Sequence, residues 1–153
     1  VLVAPAAGNV ADRIGERPLL ITGLLLQALG AGWLALIADP GLSYPAMITP
    51  LVVSGIGVSL AIPAAQNAVF GSLPPDQMGK ASGANSMLRE LGGVFGIAVV
   101  VAVFAGAGSY ASPSAFTDGF GPAIGLSAGL ALAGVLVALT MPSRVRILVA
   151  AVS

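Results

Sequence analysis

Gly8-Asn9-Val10-Ala11-Asp12-Arg13-Ile14-Gly15-Glu16-Arg17 is a charged turn that sets two acids and two bases between apolar segments. The whole chain of 153 residues carries only six acidic and six basic side chains. A turn this polar in a chain this oily belongs at a membrane surface, where its charges stay in water while the flanking segments enter lipid. The remaining charges fall into register with it, as the connectors below show.

Composition sets the class. Hydrophobic residues make up 57% of the chain and charged residues 8%, with a mean hydropathy of +1.00. Soluble domains carry about 25% charged residues, so this chain lacks the polar surface of a water-soluble globule. Its net charge is zero, which argues against nucleic acid as a partner. There is no Cys and no His. That removes thiol chemistry, disulfides, zinc sites built on those residues and any histidine proton switch. No catalytic residues, metal or cofactor are expected, and a soluble enzyme is set aside. The chain opens at Val1 with no initiator Met and no basic leader, so it reads as part of something longer.

A bilayer core of about 30 Å takes roughly 20 apolar residues in a helix. Four stretches qualify: Pro18 to Ala38, Ala46 to Phe70, Leu91 to Ala107 and Ala123 to Met141. The third is extended by an amphipathic run from Ala81 to Glu90, which places its start near Met87. Val1 to Ala7 reads as the end of a fifth helix. These runs are too long and too uniformly apolar for barrel strands. The predicted fold class is an all-α polytopic membrane bundle occupying residues 1–153. Asp39-Pro40-Gly41, Leu73-Pro74-Pro75-Asp76 and Ser112-Pro113-Ser114 punctuate the connectors. The longest loop is expected from Gly108 to Pro122, its last residues lying along the interface.

The bases then give an orientation. Arg13 and Arg17 precede the first span, Lys80 and Arg89 follow the second, and Arg144 and Arg146 follow the fourth. The other two connectors hold only Asp39 and Asp118. All six bases fall on one side, and the positive-inside rule makes that side cytoplasmic. The protein is therefore expected in the plasma (inner) membrane.

The charged turn is similar to the G-x-x-x-D-R-x-G-x-R signature of the major facilitator superfamily of secondary transporters, read here on Gly8, Asp12, Arg13, Gly15 and Arg17. Four spans follow it, which fits the C-terminal copy of the motif. Leu73 to Gly83 resembles the superfamily's cytoplasmic loop two helices later, and Asn85 to Gly93 resembles the penultimate helix of the fourteen-helix drug/proton antiporter branch. Glu16 stands where many relatives have a base. The resemblance implies a cytoplasmic gating loop that latches two halves together in one transport state. It further implies that the second and third spans border a central cavity while the first and fourth are peripheral.

Each constellation has a second reading. The bases of the turn can also act only as head-group anchors. Asp76, in a neighbouring loop, is a candidate ion-pair partner for Arg13 or Arg17. Arg89 and Glu90 sit just inside an apolar boundary, where charge is costly. They read either as a gate or protonatable pathway site, or as an interfacial pair with other helices. Adjacent helix positions diverge by about 100°, so they are not expected to satisfy each other. Gln66, Asn67 and Asn85 are candidate pathway residues or plain interhelical hydrogen-bonders. Gly92 and Gly96, then Gly121, Gly125, Gly129 and Ala133, form small-residue faces suited to close packing within the chain or to a dimer.

The resulting expectation is the C-terminal portion of a proton-coupled exporter of lipophilic or cationic drugs, acting by alternating access. Its partners would be membrane lipid, the N-terminal half of the same transporter, a small-molecule substrate and protons. The alternatives are an importer or uniporter of the same superfamily, or a small non-transporting membrane assembly subunit.

Overall fold

The apolar runs become four helices in a computed structural model that describes residues 15–71 and 74–141. They are α1 (Glu16–Leu36), α2 (Tyr44–Phe70), α3 (Met78–Ala107) and α4 (Pro113–Thr140). A single 3-10 turn, Pro75–Gln77, leads into α3. All four are long and apolar enough to cross a membrane. The fold is an all-α helix bundle. The expected fifth helix end at Val1 to Ala7 lies outside the described residues.

The helices form a row in the order α2, α1, α4, α3, with only a slight contact between the two outer members. The direction of each follows from its contacts. Gly23 of α1 meets Gly57 and Ala61 of α2, while Gly30 meets Pro50 and Ser54, so the pair is antiparallel. Arg17 at the start of α1 reaches Leu139 at the end of α4, so that pair is antiparallel too. Gly108, after α3, lies against Gly119 near the start of α4.

Two crossings are made backbone to backbone. A Cβ on Gly57 would fall 2.5 Å from the Gln27 nitrogen and the Gly23 oxygen, and one on Gly30 would fall 2.6 Å from the Pro50 oxygen. A Cβ on Gly108 would fall 2.5 Å from the Gly119 nitrogen. In lipid, where tails are as apolar as leucine, such close approach is what holds helices together. The glycines singled out from sequence spacing are not the ones used. Gly92, Gly96 and Gly129 face open space among the described residues, and Gly121 and Gly125 make only ordinary contacts with Ala35. Four-residue spacing marks a smooth face, but it does not say whether another helix covers it.

The expected loop from Gly108 to Pro122 is a second correction, because α4 already begins at Pro113. Ser112 is the reason. Its hydroxyl accepts from the Ala115 N–H at 3.1 Å, and Pro113 follows in the first helical turn, where its missing N–H costs nothing. The segment read as a breaker is a helix start, and Pro122 lies inside the helix. Removing the cap with Ser112→Ala should cost about 1 kcal/mol. Thermal unfolding of the purified protein should register this as a small drop in midpoint, with no change in topology.

Several hydroxyls within the helices are satisfied locally. Ser59 donates to the Gly55 oxygen at 2.8 Å and Ser127 to the Ala123 oxygen at 3.3 Å, each one turn back in its own helix. These side chains are thereby withdrawn from interhelical bonding.

Candidate functional site

Gly15 opens α1 with φ +89° and ψ 158°, a region open in practice to glycine alone. That conformation turns the chain sharply into the helix. Glu16, buried in the first turn, places an acid where the helix dipole favours one. Arg17 then reaches across to α4, its Nη2 donating to the Leu139 oxygen at 2.5 Å.

This contact completes the end of α4. The last carbonyls of a helix have no intrahelical donor. Here the Val137 oxygen accepts from the Thr140 hydroxyl at 2.7 Å, the Ala138 oxygen accepts from the Met141 N–H, and the Leu139 oxygen accepts from Arg17. A guanidinium also complements the negative end of the helix dipole. Sequence reading had placed Arg17 opposite a carboxylate and missed the backbone carbonyl, because a carbonyl gives no residue-type signal. Asp76 is exposed on the 3-10 turn and forms no ion pair among the described residues. Gly8, Asp12, Arg13, Arg144 and Arg146 lie outside the described residues.

Gln66 and Asn67 sit in the last turns of α2, half-buried and exposed respectively, and Asn85 is half-buried on α3. Among the described residues these three side chains make no hydrogen bond to one another. They lie on the two outer helices of the row, and none of the residues of α3 is buried. Arg89 and Glu90 are both exposed on α3, the Arg89 Nη2 lying 3.9 Å from the Glu90 Oε1. Two long flexible side chains lean toward each other across 100°, but at this separation they do not satisfy each other. The contact is longer than a hydrogen bond. A double-mutant cycle over Arg89→Gln and Glu90→Gln should therefore give a coupling of about 0 to 1 kcal/mol. A larger value would place the pair in a much drier setting.

A polytopic helical membrane protein with a glycine-led turn at one helix start is thus defined by fold and site together. The sequence matches the Major Facilitator Superfamily model over residues 1–148, and the chain belongs to that superfamily. Its relatives include the multidrug resistance protein Stp of Mycobacterium tuberculosis, 32% identical over 68% of this chain and 19% of that protein. The cephamycin export protein CmcT of Amycolatopsis lactamdurans is 30% identical over 72% of this chain and 22% of its own length. A triacylglyceride transporter of Mycobacterium tuberculosis is 37% identical over 65% of this chain and 21% of its own. The chain therefore spans about a fifth of the length of the curated relatives it matches. No solved structure matches it.

Proposed function

We propose that this chain is the C-terminal part of a proton-coupled exporter of lipophilic or cationic compounds, working by alternating access. The observation that carries the reading is the superfamily membership together with relatives named for drug resistance and export. The triacylglyceride transporter among them favours a substrate that is lipophilic before it is charged. In this reading the chain is a carrier and not an enzyme, lodged in the plasma membrane with Arg13, Arg17, Lys80, Arg144 and Arg146 on the cytoplasmic side.

The Gly8 to Arg17 turn is the gating loop. Its described part supports that role through a contact that can break and re-form, since a carbonyl freed from Arg17 is simply taken over by water. Gln66, Asn67, Asn85, Arg89 and Glu90 are the pathway candidates, on the helices with the most uncovered surface. An N-terminal half would complete the cavity, with lipid around the rest.

Transport by the intact protein in proteoliposomes tests this directly. Ethidium should move against its gradient when a pH gradient is imposed, and a protonophore should stop it. Downhill movement that ignores the pH gradient would favour a uniporter. No movement of any lipophilic probe would leave the assembly-subunit reading standing.

A further inference from the structure

At the end of the bundle opposite Arg17, the α1–α2 connector, the start of α2 and the first turns of α4 frame an open cleft of about 430 Å³. That volume lies within the range of small-molecule sites. Its lining includes Asp39, Leu42, Met47, Phe116, Thr117 and Phe120. We propose that this cleft binds an amphiphile with an organic ammonium head, the head at Asp39 and the apolar body along Met47 and the phenyl rings.

The charge of the site is of one sign. Asp39 is the only ionisable residue in the lining, and among the described residues it forms no ion pair. The described bases lie elsewhere: Arg17 at the opposite end, Lys80 in the first turn of α3 and Arg89 paired loosely with Glu90. The carboxylate is also held in place, because its Oδ1 accepts from the Gly41 N–H at 2.8 Å.

The aromatic wall is equally fixed. The rings of Phe116 and Phe120 stack at 5.7 Å and 22°, backed by Phe104 and Tyr110 at 5.3 Å and 5.9 Å from Phe116. Ring faces beside a carboxylate favour organic cations. The start of α4, which would otherwise attract an anion, is largely occupied. Pro113 has no N–H, Ala115 donates to the Ser112 hydroxyl, and Phe116 donates to the Ser112 carbonyl. Asp39 is exposed to solvent, so an anionic head would meet repulsion there and a neutral head would gain nothing from it, whereas an ammonium pairs with it.

A phospholipid such as phosphatidylethanolamine and a dissolved amphiphilic amine share this chemistry. The site is independent of whether the protein exports, so its test reads binding alone. The intact protein in phosphatidylglycerol nanodiscs is labelled with a diazirine-bearing alkyltrimethylammonium and the labelled peptides are mapped. Label is expected on residues 38–47 and 113–120. It should be displaced by dodecyltrimethylammonium but not by dodecanol, and it should weaken up to about fivefold in Asp39→Asn, as for loss of one exposed ion pair. Asp118→Asn, which removes a charge outside the lining, should leave the labelling unchanged.

Nanodiscs containing phosphatidylethanolamine separate the sources. Reduced labelling there identifies the lipid head group, and unchanged labelling identifies a dissolved amine; both support the site. Label elsewhere, equal displacement by dodecanol, or equal loss in Asp118→Asn would overturn it. Should Asp39→Asn not fold, the contrast between dodecyltrimethylammonium and dodecanol in the unmodified protein decides alone.

Discussion

Replacing Gly57 with Leu is expected to abolish folding of the bundle, although the residue lies in a helix where leucine is otherwise favoured. The first added carbon would already sit 2.5 Å from the Gln27 nitrogen and the Gly23 oxygen. Both are backbone atoms, so no rotamer change relieves the clash and the two helices must separate. Overpacking a side-chain core costs about 1–3 kcal/mol, and a rigid backbone wall puts even Gly57→Ala at the top of that range. Against this stands a gain of about 1 kcal/mol in helix propensity when glycine becomes alanine. Gly55 isolates that gain, because it lies in the same helix with open space around it. Thermal unfolding of the intact protein in detergent should therefore show Gly55→Ala level with or above the unmodified protein, Gly57→Ala clearly below it, and Gly57→Leu without a folded species. An unchanged midpoint for Gly57→Leu would mean that α1 and α2 do not meet in this way.

In the proposed carrier, Arg17→Glu should reduce transport by an order of magnitude or more while leaving a folded protein. A hydrogen bond from a charged donor contributes about 1.5–3 kcal/mol, and exposure puts this one at the lower end. In a carrier that partitions between two states, a change of about 1.4 kcal/mol in one of them shifts the ratio tenfold. Glutamate adds repulsion, since it would face the negative end of α4. Arg17→Lys should retain part of the rate, because its point charge still suits the helix end but lacks the planar fork. Initial rates in proteoliposomes, read beside unfolding midpoints, separate a gating defect from instability. Equal rates for all three proteins would reduce Arg17 to a head-group anchor.

How much of this was legible beforehand varies by type of signal. Burial in lipid selects on composition, so the apolar runs around α1 to α3 announce themselves without any structure. The start of α4 did not, because Ser112-Pro113-Ser114 is as good a helix opening as it is a loop. Only the hydrogen bond from Ala115 to Ser112 decides between them. The turn at Gly15 to Arg17 stood out by its charges. Its partner did not, because the Leu139 oxygen is backbone and looks the same under any side chain. The glycine seam escaped for a related reason. Gly23, Gly30 and Gly57 matter through what lies opposite them in space, whereas spacing along one helix pointed to Gly92 and Gly96. Asp39 reads from sequence only as a topology marker, since the phenyl rings that share its cleft come from α4, more than seventy residues further on.

The attachment of α3 has a mechanical consequence. Its closest approaches to α4 gather at the Phe104 to Gly108 end, while Gly92, Gly93 and Gly96 touch nothing described. At 1.5 Å per residue, Lys80 lies about 40 Å from that fulcrum. A tilt of roughly 10° about it would carry Lys80 by about 7 Å, more than one helical turn, and Arg89 by about two-thirds as much. In such a tilt the glycine contact of Gly108 with Gly119 would be the pivot of a long lever, where a small rotation at one face of the membrane becomes a large displacement at the other.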